Sequence, residues 1–202
     1  MNRQLFDVAV ALLAEEGWEA LNLDRIAARA GVSRATVWRH GITRASVERE
    51  LRQQLAADYR SLMWPVLAQS GSGAERLELA IGALCELADR HLALLAHSEM
   101  YLHDAVVVDE SEDEVNLLAP FVRFLTDGSA DGSLAPIEEP WPYAALLFNA
   151  VTLPYVHLRV HHAEWGWTPE RTRSYVLDLV GRGFLPRPLS QQPHMPETEM
   201  TR

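Results

Sequence analysis

The 202-residue chain has room for one large domain or two smaller ones, and its 48% hydrophobic and 23% charged content is typical of a soluble globular protein. Its formal net charge of -10 argues against a general affinity for polyanions. No apolar run reaches the roughly 18 residues that span a bilayer, and the first residues lack the features of a secretion signal, so we expect a cytoplasmic protein.

Helical periodicity dominates, and no segment alternates clearly enough to predict a strand. The first helix presents Leu5, Val8 and Leu12 on one face and should stop at Gly17. We expect three further helix starts, each with a polar N-cap residue: Asn22, Ser33 and Thr43. Gly31 ends the second helix, the third runs to about His40, and the fourth continues to Pro65. These elements form one local unit at the start of the chain.

The remainder of the chain also has helical periodicity. After a predicted loop over 69–75, apolar positions recur through Leu95, and a helix that begins near Pro120 should be closed by the glycine pair Gly128 and Gly132. Two long apolar helices follow, over about 142–162 and 168–182, the second with Thr168 as its cap and Pro169 in its first turn. We predict an all-α protein with a helix-turn-helix domain at 1–48, a helical domain at 49–185 and a disordered tail at 186–202.

Positive charge is concentrated near the start of the chain. Residues 22–52 contain seven arginines and three acids, a balance of +4, whereas the residues from 61 to the end contain nine arginines and twenty acids, a balance of -11. The sequence therefore predicts a small basic segment attached to a larger acidic one. Such an arrangement favours local contact with a polyanion and discourages adhesion by the rest of the chain.

The basic segment has the pattern of a helix-turn-helix. Gly31 permits the positive φ of a tight turn, Ala27 permits close crossing of two helices, and Val32 and Val37 are expected to hold the third helix against the first two. The other face of the third helix then points outward into a major groove. We predict contacts with base edges or backbone from the following residues: Ser33, Arg34, Ala35, Thr36, Trp38, Arg39 and His40.

Within this set we assign sequence recognition to Arg34, Ala35 and Thr36, because the N-terminal residues of such a helix reach base edges. Trp38, Arg39 and His40 are expected to contact sugar and phosphate. The helix starts at Asn22 and Thr43 supply further phosphate sites, with Arg44 beside the second.

The segment "LFDVAVALLAEEGWEALNLDRIAARAGVSRATVWRHGITRASVEREL" resembles the N-terminal DNA-binding domain of the TetR (tetracycline-repressor) family of transcriptional regulators. The matching features are Gly17-Trp18, the "IAARAGVS" turn and the "VWRH" that follows it, over roughly residues 4–52. The family usually has an aromatic residue after the histidine, but this chain has Gly41, and we expect Ile42 to fill that space. The segment "FVRFLTDGSADGSLAP" is similar to the family's connection into its last two helices.

The resemblance implies a homodimer that binds a palindromic double-stranded DNA operator and is released by a small-molecule effector, as in a repressor. The aromatic and methionine positions that we predict to line an effector pocket are Met100, Tyr101, Phe121, Phe124, Phe148 and Tyr155. The last two helices are expected to pair with those of a second chain through Leu146, Ala150, Leu153, Val176, Leu179 and Val180. No cofactor is implied.

Two other functions remain open on the residues alone, a ligand-binding helical protein and a hydrolase that uses the histidine cluster. The chain could be a helical small-molecule or metal-binding protein whose N-terminal unit is only structural, and His157, His161 and His162 have metal-ligand spacing near Glu164. A surface or interface cluster is the simpler interpretation of these histidines, so we predict no metal site. Catalytic motifs are absent from the sequence, and we expect no enzyme; the single cysteine, Cys85, lies on an apolar helical stripe and is expected to be a buried, inert thiol.

Overall fold

The computed structural model describes residues 2–96, 116–161 and 163–183. Within these ranges the chain is helical and has no strand, which confirms the all-α prediction. The α-helices, numbered in chain order within the described residues, are α1 (Arg3–Glu16), α2 (Leu23–Ala30), α3 (Arg34–Arg39), α4 (Arg44–Ala68), α5 (Gly73–Arg90), α6 (Leu92–Leu95), α7 (Ala119–Asp131), α8 (Pro140–His161) and α9 (Pro169–Gly183). Short 3-10 turns occur at Trp18–Ala20 and Ala163–Trp165. The expected tail at 186–202 and His162 lie outside the described residues.

Two hydrophobic cores organise the described chain. The first joins α1, α2, α3 and the start of α4 around residues such as Leu13, Ile26 and Val37. The second joins the rest of α4 with α5, α7, α8 and α9. Leu55 of α4 packs against both cores, so the two units are connected by a continuous helix. The domain division at 48/49 falls near the start of that helix and stays a prediction.

A second connection between the cores is the short helix α6. Its Leu94 is 1% exposed and belongs to the N-terminal core, although α6 follows directly on α5 of the larger unit. At the start of α6, His91 Nε2 lies 2.9 Å from Asp58 Oδ2 of α4. The N-terminal unit is therefore held by the larger one through both α4 and α6.

Three predicted helix boundaries are wrong. Helix α4 passes through Pro65 and ends at Ala68, because a proline within the last turn removes only one helical hydrogen bond close to the end. The loop over 69–75 is shorter, since α5 begins at Gly73, where Ser72 and Glu75 form a capping box. Gly128 does not close α7, which continues to Asp131 and ends at the left-handed Gly132.

Gly128 has a packing role instead. Helices α5 and α7 cross so closely that a Cβ atom on Gly73 would lie 2.1 Å from the Gly128 backbone nitrogen. The same crossing is tied by polar contacts, since the Gly73 and Ala74 N–H groups donate to Asp131 Oδ2 (2.7 Å) and Ser133 Oγ (3.0 Å). Hydrogen bonds from Ser133 and from the Gly73 N–H lower the pKa of the Asp131 carboxyl below its usual value.

Candidate nucleic-acid interface

The turn between α2 and α3 has the geometry that the sequence predicts. Gly31 adopts φ 67°, in the left-handed region, and the Val32 N–H donates to Ala27 O at 3.0 Å. Ser33 then caps α3 by accepting from the Thr36 N–H at 3.1 Å. A left-handed C-cap followed within two residues by an N-cap reverses the chain in a helix-turn-helix.

The expectation that Val32 helps to hold α3 is wrong. Its side chain is 36% exposed, whereas Val37 is 0% exposed and lies in the N-terminal core. Val32 directly follows the left-handed Gly31 and is not among the residues of the N-terminal core. Helix α3 is therefore anchored to that core by Val37 alone among its own side chains.

The opposite side of α3 is exposed. Arg34, Ala35, Arg39 and His40 all lie at the surface, and Trp38 is 71% exposed. Thr36 is half-buried, and its hydroxyl lies 2.9 Å from Ser33 Oγ. The structure thus brings the predicted residues of α3 onto one polar, partly aromatic surface, which we call the α3 face (residues 33–40). A face of this kind has no packing role in the described chain.

Two helix starts flank the α3 face. Asn22 Oδ1 accepts from the Arg25 N–H at 3.0 Å, and Thr43 Oγ1 accepts from the Ser46 N–H at 3.1 Å. Both cap side chains are therefore occupied by their own helices, and each cap satisfies the N–H of the third helical residue. The first two N–H groups of an α-helix have no partner inside the helix and suit an anion.

At the start of α4, Ile42 fills the space of the aromatic residue that this chain lacks, as expected. Gly41 adopts φ 66°, and Ile42, which follows it, is 0% exposed in the N-terminal core. The Ile42 N–H donates to Val37 O at 3.4 Å. Ile42 therefore fixes the start of α4 against α3.

Ion pairs offset most of the positive charge of the N-terminal unit. Glu15 and Glu16 of α1 pair with Arg29 and Arg25, and Glu19 lies 3.4 Å from Arg44. Counted over residues 2–52, eight arginines face seven acids, so the balance is +1 and not the +4 of residues 22–52. Hydrogen bonding from Arg29 lowers the pKa of Glu15.

These pairs lie at the surface and are weak. Solvent-exposed ion pairs contribute little to stability, so the guanidinium groups of Arg25, Arg29 and Arg44 can be redirected at little cost. Arg34 pairs with Asp24, and Arg44 also stacks 5.3 Å from the Trp18 ring centre. Arg39 and Arg49 have no ion-pair partner among the described residues. Sequence counting missed the pairing because it depends on how α1 and the 3-10 turn approach α2 and α4.

The predicted effector residues that the structure describes are all buried. Phe121 and Phe124 are 0% exposed, Phe148 is 3% and Tyr155 is 1% exposed, and all four lie in the larger core. The Tyr155 hydroxyl donates to Asp89, whose other oxygen accepts from Arg159 Nε at 2.8 Å. Burial and the Asp89 carboxylate raise the pKa of Tyr155. Met100 and Tyr101 lie outside the described residues, and the assignment of an effector site stays a prediction.

The last two helices present an apolar surface to solvent, which we call the α8/α9 face. Leu146 is 64% exposed, Leu153 is 47% and Leu179 is 65% exposed, with Ala150 also exposed and Val180 half-buried between them. Val176 is different, because it is 4% exposed and belongs to the core of its own chain. The sequence pattern could not separate Val176 from its neighbours, since both sides of α9 carry apolar residues. The pattern also missed Tyr175, which is 56% exposed.

The described histidines near the end of α8 and the single cysteine are the other candidates for a chemical site. The His157 and His161 ring centres lie 4.9 Å apart at the exposed end of α8, and no group of three or more metal-ligating side chains is found in the ranges that the structure describes. Cys85 is 1% exposed, and burial raises its pKa to about 12, so its thiol is protonated near neutral pH.

Within the described ranges, no helix has the length and hydropathy needed to cross a membrane.

Comparison with known proteins agrees with this geometry. Residues 5–40 match the sequence model of bacterial regulatory proteins of the tetR family. No curated protein matches the chain.

Solved structures resemble the chain over nearly its whole length. The ketosteroid transcriptional regulator KstR2 of Mycobacterium tuberculosis is similar with a TM-score of 0.68 and 19% identity, over 91% of this chain and 96% of that one. The regulator FadR from Bacillus subtilis, solved in complex with stearoyl-CoA, gives 0.65 and 17% over 91% and 100% of the two chains. A TetR/AcrR-family regulator from Thermobifida fusca gives 0.63 and 19% over 89% and 96%. The chain is therefore similar to the tetR family in sequence over residues 5–40, and it shares the fold of these solved regulators.

Proposed function

We propose that the protein is a dimeric transcriptional regulator that binds a palindromic DNA operator through the α3 face and leaves it when a small molecule binds the larger helical unit. The observation that carries the proposal is the α3 face itself. A helix anchored by one buried valine presents two arginines, a histidine and a tryptophan to solvent, where they serve no packing role. Such a helix fits the major groove of duplex DNA.

The roles of individual residues follow from their places on this face. Arg34, Ala35 and Thr36 lie in the first turn of α3, where side chains reach base edges. Trp38, Arg39 and His40 lie one turn later and contact sugar and phosphate. The starts of α2 and α4, capped by Asn22 and Thr43, offer N–H groups to phosphates on either side, and Arg44 lies at the second start.

Dimerisation supplies the second half-site. The α8/α9 face exposes leucines that a monomer leaves in water, and burial of apolar area contributes roughly 25 cal/mol per Å². Association of this face with its copy produces a four-helix interface with two-fold symmetry. The two α3 faces then contact one side of the duplex about 34 to 36 Å apart, which is one helical turn.

Two helices, α4 and α6, connect the larger unit to the N-terminal unit and can transmit the effect of a bound small molecule. Helix α4 contributes Leu51 to the N-terminal core and Met63 to the larger core, and Leu94 of α6 is buried in the N-terminal core. A shift of α4 or α6 in the larger unit therefore changes the position of the α3 face. A coupling free energy of about 1 to 3 kcal/mol lowers operator affinity about 5- to 150-fold.

A salt series of gel shifts tests the proposal. The regulator should prefer one duplex sequence, and the logarithm of its affinity should fall linearly with the logarithm of salt concentration. Equal affinity for every duplex would contradict the proposal and would favour a small-molecule-binding protein whose helix-turn-helix is only structural. Sulfate-free buffers and a scrambled duplex of the same length provide the control.

A further inference from the structure

The pair formed by Asp24 and Arg34 lies on the surface that the proposed function assigns to DNA. Asp24 is in the first turn of α2, and Arg34 is the first residue of α3. Both side chains are largely exposed, at 69% and 65% respectively. An ion pair this exposed has little value for folding, which leaves it available for a role beside the predicted base-reading residues.

The geometry of the pair leaves most of the guanidinium unused. Both Asp24 oxygens lie near one nitrogen, since Arg34 Nη1 is 3.2 Å from Oδ1 and 3.1 Å from Oδ2. Arginine has five N–H donors in a rigid planar fork, and the Nε and Nη2 donors lie on a different edge from the Asp24 contact. Two parallel N–H donors on one edge match the O6 and N7 acceptors of guanine.

We propose that Asp24 is a positioning residue that holds Arg34 for bidentate recognition of guanine in each operator half-site. The inference rests on the proposed DNA-binding function and deepens it by naming the base. A carboxylate beside the duplex repels phosphates, so its presence weakens binding to every sequence. Although the pair contributes little to folding, it biases the rotamers of a long, flexible side chain, so that Arg34 meets guanine more often in the bidentate orientation.

The chain offers a matched control for charge. Glu19 and Arg44 form a second exposed pair between a carboxylate and an arginine, at 3.4 Å, but Arg44 is assigned to phosphate. Asp24→Asn and Glu19→Gln each remove one negative charge from the same unit. Any effect of net charge is therefore common to both variants, and only an effect on the orientation of Arg34 is specific to Asp24→Asn.

The experiment measures affinity for a bound duplex with all four bases at each half-site position. The wild type should prefer guanine at one position per half-site by about 5- to 150-fold, and Arg34→Ala should abolish that preference. Asp24→Asn should reduce the guanine preference by about two- to fivefold, the most that an exposed ion pair provides, while affinity for unrelated duplexes rises. Glu19→Gln should raise all affinities without changing the guanine preference. Thermal unfolding of each variant confirms that it is folded.

The outcomes separate the inference from the proposed function. Full guanine preference in Asp24→Asn, or an Arg34-dependent position that prefers another base, overturns the positioning role while DNA binding stands. Absence of any sequence preference in the wild type overturns the proposed function and the inference together. Equal loss of guanine preference in Glu19→Gln also overturns the inference, because the effect would then belong to charge.

Discussion

Two exposed faces of the described chain differ in chemistry and therefore in the partner that each accepts. The α3 face exposes arginine, histidine and tryptophan on a helix of only six residues. The α8/α9 face exposes leucines on two helices of 22 and 15 residues. A short cationic face gains from a polyanion and loses affinity as salt rises, whereas a long apolar face gains from a second apolar surface and is little affected by salt.

The comparison also shows how an acidic protein can bind DNA. The N-terminal unit is almost neutral, because acids of α1 and of the following 3-10 turn balance the arginines of α2 and α4 with which they also pair. In the proposed function, attraction to DNA therefore depends on a few side chains of the α3 face and on helix starts, and not on a large positive field. We expect a modest salt slope and a high dependence of affinity on sequence.

The largest expected effect comes from a charge on the apolar face. Leu179→Glu places a carboxylate twice in the proposed interface, where it has no partner, and should weaken dimerisation at least about 100-fold. Operator binding should fall with it at low protein concentration. Sedimentation equilibrium measures the dimer constant, and Leu79→Glu, on the exposed side of α5, is the matched control. An unchanged dimer constant in Leu179→Glu would show that α9 does not form the interface.

The next largest effects on DNA binding come from two substitutions, one on the α3 face and one at the neighbouring start of α4. Thr36→Ala should change which operators bind, by about 5- to 150-fold at one base pair, because it removes a group in the reading turn of α3. Arg44→Ala should weaken all duplexes alike and reduce the salt slope by about 1, because it removes one phosphate contact. Binding assays on a panel of duplexes distinguish these results. If both variants change the panel in the same way, the division between base reading and phosphate contact is wrong.

A smaller effect is expected at the turn that carries α3. A Cβ on Gly31 meets no atom within 4 Å, so Gly31→Ala is penalised only by the positive φ, at about 1 to 2 kcal/mol of unfolding free energy. Gly31→Asn should cost less, because asparagine tolerates the left-handed region. Urea unfolding measures both variants. Equal stability of Gly31→Ala and the wild type would mean that the turn adopts another conformation.

The smallest expected effect concerns pH in the larger unit. The folded protein lowers the pKa of Asp131 below its usual 3.8, so this carboxylate stabilises the fold above that pH and loses its contribution as pH falls through the folded pKa. Asp131→Ala should lower the melting temperature at pH 7, and the difference from wild type should narrow below pH 3.8. Glu78→Ala, an exposed position on α5, is the control. If the difference in melting temperature between Asp131→Ala and the wild type stays constant at low pH, the Asp131 carboxylate does not stabilise the crossing of α5 and α7.

The parts of the fold that the sequence predicts are local. Asn22, Gly31, Ser33 and Thr43 act within three or four residues of themselves, and each has the conformation or cap that its type indicates. The α3 face follows from the same local pattern, because Val37 is the one apolar residue that its helix must bury. Caps and turns are decided by nearby backbone groups, which is why sequence is sufficient for them.

The parts that the sequence does not predict depend on how helices approach one another. Gly128 looks like a helix end but permits a close crossing with Gly73, and Val176 looks like an interface residue but is buried in its own core. The pair formed by Asp24 and Arg34 joins residues ten apart on different helices. None of these features has a short-range pattern, since each is created by tertiary contacts.

Selection of bound fragments from random duplex DNA tests the central claim most directly, because it reports binding, symmetry and spacing in one measurement. We expect an enriched palindrome whose half-sites are centred about 10 base pairs apart, as two α3 faces one helical turn apart require. Recovery of fragments without any common sequence would contradict the claim that the α3 face reads DNA.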